Sequence, residues 1–145
     1  MRKAIAGLAA VIMFAIVVQF FLAGSGAFDT ASVDEAFRPH RMLGYLIVLL
    51  SAVTTLIAAS ARVPGRLVGM TGLLVGLGIA QPVIAAIAKA FSDTDDSSTA
   101  GQLVFGLHAV NALVMMAVAV RILRLARELP TTPAPAAGPT PGPTR

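Results

Sequence analysis

Polar and charged residues fall in short clusters along this chain, and between the clusters run four apolar stretches with charges only near their ends: 4–23, 40–61, 67–91 and 102–125. An α-helix rises 1.5 Å per residue, so about 20 residues cross a hydrocarbon layer of roughly 30 Å. Each stretch has that length. The pattern predicts an all-α fold, a four-helix transmembrane bundle running up-down-up-down, formed by residues 1–129. Residues 130–145 are almost entirely Pro, Thr, Ala and Gly. Such a segment buries no apolar surface and is expected to be a disordered tail. Arg2 and Lys3 precede the first stretch, and Ser25-Gly26-Ala27 resembles a signal-peptide cleavage site. The stretch exceeds the roughly 7–15 apolar residues of a signal sequence, so it reads as a retained anchor.

Composition agrees with the membrane reading. The chain is 57% hydrophobic and 12% charged, and its mean hydropathy is +0.83. A soluble domain carries about 25% charge. Cysteine is absent, which excludes disulfides, thiolate metal sites and thiol nucleophiles. Tryptophan is absent too, leaving Tyr45, phenylalanines and cations as interfacial anchors.

The net charge of +4 is a matter of topology. Arg2 and Lys3, Arg62 and Arg66, and Arg121, Arg124 and Arg127 fall on one side of the bilayer. Asp29, Asp34, Glu35, Asp93, Asp95 and Asp96 fall on the other, with Arg38, Arg41 and Lys89 as its only cations. Positive residues stay inside during insertion, so both termini are expected to be cytoplasmic in a multi-pass protein of the cell membrane. No basic run is interleaved with aromatics, so nucleic acid is not an expected partner; the lipid bilayer is. The hairpin 62–66 makes the second and third spans antiparallel neighbours. The outer loops are 24–39 and 92–101. Ser32 and Glu35 have capping-box spacing, which predicts a second helix that begins near Val33 and continues through a kink at Pro39. Gly65, Gly69, Gly72 and Gly76 form a ridge on the third span, expected to pack within the bundle ahead of serving as a dimerisation face.

Strongly polar side chains within spans are costly and call for a reason. They are Gln19, His40, Gln81, His108 and Asn111, at least one per span and all in the outer half, roughly 7–14 Å below the outer surface. Hydroxyl residues of the inner half, such as Ser51, Thr54, Thr55 and Thr71, satisfy themselves on their own helices. Gln81 precedes Pro82, which frees the carbonyl of Gly78 for the Gln81 amide. Gln19 and Asn111 read equally well as interhelical glue. The two histidines stand on the second and fourth spans, which lie diagonally across an up-down-up-down bundle, roughly 12–14 Å apart by helix packing distances. Facing imidazoles across that gap suit the two axial positions of one haem iron, whereas two ligands are too few for a protein-only zinc site.

Around His40 the chain reads Phe37-Arg38-Pro39-His40-Arg41-Met42-Leu43-Gly44, and around His108 it reads Gly106-Leu107-His108-Ala109-Val110-Asn111. A His-Arg-x-x-Gly start to a second helix, with a histidine early in a fourth, resembles one half-module of haem A synthase. More loosely it resembles other small four-helix membrane cytochromes and uncharacterised four-span bacterial membrane families. The resemblance implies His40 and His108 as axial ligands of haem b, with Arg38 or Arg41 pairing with propionates at the outer surface. Haem A synthase has a catalytic glutamate three residues before its first histidine. Phe37 stands there in this chain and Glu35 lies five before, so the resemblance implies haem binding, with electron transfer or sensing through a membrane redox partner, and not oxidation of a haem substituent. Two other readings stay open: a structural or accessory protein without cofactor, and a quinone- or lipid-binding protein using Gln19, Gln81 and Asn111. The spans hold no nucleophile–histidine–acid set for a hydrolase and no charged ring or filter segment for a channel. The pattern favours a non-enzymatic protein.

Overall fold

Each long helix buries residues at alternating spacings of four and three, the repeat that lays one seam of side chains against neighbouring helices. In the computed structural model, which describes residues 1–91 and 98–129, the elements are α1 (Arg2–Ala27), α2 (Val33–Ala36), α3 (Arg38–Ser60), α4 (Gly65–Ala90) and α5 (Thr99–Glu128). The seam is Ile5, Ala9, Ile12 and Ile16 on α1, and Ile47, Ser51, Thr54 and Ala58 on α3. It continues with Leu67, Thr71, Leu74 and Gly78 on α4, and Met115, Ala119, Ile122 and Ala126 on α5. The many small residues among them let backbones approach closely, the main source of helix association in lipid. The four long helices form a bundle in which α1 and α4 each pack against α3 and α5, while α1 faces α4, and α3 faces α5, across the centre without backbone contact.

The outward faces are apolar. Phe14 (71% exposed), Phe21 (73%), Leu56 (69%) and Leu103 (70%) point away from the bundle, while Ser51, Thr54 and Thr71 are buried inside it. All four long helices are long and apolar enough to cross a membrane, and only lipid makes such an exterior stable. The protein is accordingly a multi-pass membrane protein. The buried hydroxyls are satisfied within their own helices: Ser51 donates to the Ile47 carbonyl (2.7 Å), Thr54 to Leu50 (2.7 Å) and Thr71 to Val68 (2.8 Å).

The glycine ridge does not pack inside the bundle. A Cβ added at Gly65, Gly69, Gly72 or Gly76 would meet nothing within 4 Å. These positions precede Leu67, Thr71, Leu74 and Gly78 by two residues each. Two residues turn the helix by about 200°, so the ridge lies opposite the buried seam. The close approaches are elsewhere: a Cβ on Gly78 would stand 2.9 Å from Val48 Cγ2, and one on Gly26 would stand 2.9 Å from the Ala36 carbonyl oxygen.

At the end away from the termini the predicted continuous second helix is broken. Ser32 caps α2 as its spacing suggested, Oγ accepting from the Glu35 N–H at 3.4 Å, but α2 stops at Ala36 and α3 restarts at Arg38. Pro39 then occupies the first turn of α3. There its missing N–H leaves no helical carbonyl unserved, whereas inside a continuous helix it would strand one. Arg41 ties the two pieces together, donating to the Asp34 carbonyl and pairing with the Asp34 carboxylate at 3.5 Å. At the opposite end α3 finishes with Arg62 at φ 50°. The Arg62 N–H donates to Ala59 (3.1 Å) and the Val63 N–H to Ala58 (3.3 Å), the paired bonds of a Schellman turn. Arg2 there donates to the Leu129 carbonyl at 3.4 Å, joining the start of α1 to the end of α5. The tail 130–145 and the acidic loop positions 92–97 lie outside the described residues.

Gly26→Ala is expected to cost about 1–3 kcal/mol, because the new methyl meets backbone that cannot move aside. Gly69→Ala should be neutral or stabilising, since its face is open and alanine is the better helix former. Detergent melting curves of the two variants compare them directly; equal destabilisation would refute the assigned faces.

Candidate functional site

The strongly polar residues of the spans lie toward the end of the bundle away from the termini, and main-chain carbonyls organise them. His40 on α3 makes a 3.2 Å hydrogen bond through Nδ1 to the carbonyl of Gln19 on α1. His108 on α5 makes the same bond, also 3.2 Å, to the carbonyl of Gln81 on α4. A carbonyl oxygen only accepts, so Nδ1 carries the proton in both rings and Nε2 carries the lone pair. The imidazoles meet across the bundle with ring centres 6.1 Å apart and planes inclined at 41°. Among the described residues neither Nε2 has a hydrogen-bond partner.

Each hairpin contributes the same parts. The first helix of the pair presents a glutamine carbonyl, and the second presents a histidine with a phenylalanine three residues before it. Phe105 stacks on His108 (centres 5.4 Å, planes 6° apart), and Phe37 meets His40 edge-on (6.1 Å, 85°). Residues three apart are neighbours on a helix surface, so the repeated Phe-x-x-His was the sequence signal for these contacts. No side-chain pattern marks the carbonyl acceptors, which depend on how the helices are juxtaposed.

The other candidates divide. Asn111 Nδ2 donates to the Leu77 carbonyl at 2.8 Å, an α5–α4 cross-link that uses the amide as glue. The Gln81 side chain does not serve Gly78 as its sequence context suggested: among the described residues its Nε2 donates no hydrogen bond to that carbonyl, and its Oε1 is buried without a donor, as is Oε1 of Gln19. Gln19 lies against Gly44, where an added Cβ would stand 3.0 Å from Nε2. Arg41 is occupied with Asp34, while Arg38, two residues before His40, has no ion pair or hydrogen bond among the described residues. No group of three or more His, Cys, Asp or Glu stands together among the described residues. What remains among the described residues is a set of acceptors without donors: two imidazole nitrogens and two amide oxygens.

An unpaired buried acceptor costs about 1–3 kcal/mol. Gln19→Met and Gln81→Met keep the shape and remove that acceptor, so each is expected to raise the melting temperature of the ligand-free protein. A drop for both would show that the amides are satisfied in the membrane.

Residues 19–88 match a family of unknown function, DUF6220. The matched region carries Gln19, Arg38, His40, Arg41 and Gln81 and leaves His108 and Asn111 on α5 outside it. No curated protein and no solved structure matches the chain.

Proposed function

We propose that the protein binds one haem b between His40 and His108, in the outer half of the membrane, for electron transfer or sensing. The observation that carries this reading is the pair of imidazoles from diagonal helices with ring centres 6.1 Å apart. Metal–imidazole bonds of about 2.0–2.1 Å, with a ring radius beyond each, separate two axial rings by about 6 Å. The donor chemistry fits as well. A ligating histidine commonly gives its other N–H to a carbonyl, which sets the tautomer, orients the ring and raises the basicity of the ligating nitrogen; both histidines do so. Arg38, free of Asp34 and near the outer end, is the better placed of the two arginines for a propionate. Bound there, haem supplies reversible one-electron chemistry, and the chain's task is to hold the two nitrogens and exclude water.

A second reading rests on the two orphaned amide oxygens. Gln19 Oε1 and Gln81 Oε1 would accept hydrogen bonds from the hydroxyls of a lipid-soluble quinol, with a histidine Nε2 as a proton acceptor.

Detergent-purified protein should show the sharp bands of low-spin haem b on reduction, and His40→Ala or His108→Ala should each abolish or convert them. Colourless protein from haem-replete cells would remove the haem reading, and a quinone recovered by solvent extraction would then favour the second. The orientation has its own test. Reporter fusions after Gly65 and after Pro130 should read cytoplasmic and one within 93–98 external; the reverse would move the histidines to the cytoplasmic half.

A further inference from the structure

The opposite end of the bundle holds a second site of different chemistry. Arg66 from the first turn of α4 and Arg121 and Arg124 from the last third of α5 line one cavity of about 180 Å³ with Leu125 and Glu128. Three arginines from two helices thus line one space together with a single glutamate. Among the described residues the three arginines form no ion pair and no hydrogen bond, with Glu128 or with anything else. Residues 130–145, which follow α5, contain no acidic side chain to neutralise them. Topology accounts for basic residues on this side of the membrane. It does not require three of them, from two helices, to share a cavity unpaired.

The backbone adds to the same potential. Pro64 caps α4 without any side-chain hydrogen bond; the Leu67 N–H turns back to the Pro64 carbonyl (2.8 Å), while the N–H groups of Gly65 and Arg66 have no acceptor among the described residues and carry the positive end of the helix dipole. Such a helix start favours an oxyanion, and guanidinium forks match phosphate oxygens in pairs. Arg121 stands seven residues before the last residue of α5. That is about 10 Å of helix, so the cavity reaches the depth where headgroup phosphates meet acyl chains, and Leu125 gives it an apolar wall. It is smaller than the roughly 300–1,000 Å³ of pockets for drug-sized ligands, which suits a headgroup and not a whole cofactor.

We infer that this cavity binds the phosphate of an anionic phospholipid from the leaflet on the side of the termini. The site is independent of the histidine pair.

The full-length protein in phosphatidylcholine nanodiscs, with and without cardiolipin or phosphatidylglycerol, tests the inference through melting temperature and retained lipid. Wild type should melt several degrees higher with anionic lipid and retain it several-fold over phosphatidylcholine. The triple variant Arg66→Gln/Arg121→Gln/Arg124→Gln should lose both effects. A control with Lys3→Gln/Arg62→Gln/Arg127→Gln removes equal charge outside the cavity and should keep them. Equal loss in the control, or full retention in the cavity variant, overturns the site. Inorganic phosphate reproducing the shift in phosphatidylcholine alone overturns the lipid assignment.

Discussion

A polar group inside the hydrocarbon of a bilayer has no water to turn to, so every hydrogen-bonding atom there must be answered by the protein itself. The backbone answers its own in four long helices. Ser51, Thr54 and Thr71 answer theirs one turn back on the same helix. Asn111 reaches across to a carbonyl of α4. Among the described residues, the Oε1 atoms of Gln19 and Gln81 are buried without a donor, and the Nε2 atoms of His40 and His108 have no hydrogen-bond partner.

The proposed binding rests on these unpaired acceptors. Bundle glue needs donors and acceptors in equal number, as in the Asn111–Leu77 link. Here the main chain has already taken the donor of each imidazole, and among the described residues two imidazole nitrogens and two amide oxygens have nothing to accept from. A metal with two open coordination positions, or a ligand rich in hydroxyl donors, completes such a set. The end of the bundle that carries the termini has the opposite character: among the described residues Arg66, Arg121 and Arg124 have no ion-pair or hydrogen-bond partner. The two ends thus differ in character, acceptors at one and cations at the other, and the two proposed ligands differ accordingly.

Close approach of helices is what brings the histidine level together. Gly26 admits the Ala36 carbonyl and Gly78 admits Val48, each where any side chain would hold two elements apart. The break at Phe37 then lets α3 begin at Arg38, with Pro39 in its first turn, so that His40 enters the bundle beside Gln19.

The helices and their number were legible in the sequence because length and hydropathy alone decide whether a segment can lie in lipid. So were the self-satisfied hydroxyls and the Ser32 cap, which depend on residues within one turn. The histidines stood out because charge-capable groups are rare in spans. Which face of a helix turns inward is a different kind of question. The spacing of Gly65, Gly69, Gly72 and Gly76 is the same on either face, and only packing against α3 and α5 chose the seam two residues further on. Likewise, the carbonyls of Gln19 and Gln81 became histidine partners through the axial offset of neighbouring helices. The convergence of Arg66 with Arg121 and Arg124 was also decided between helices, by where α4 starts relative to the end of α5. Those distances are sums over whole interfaces, which no local pattern encodes.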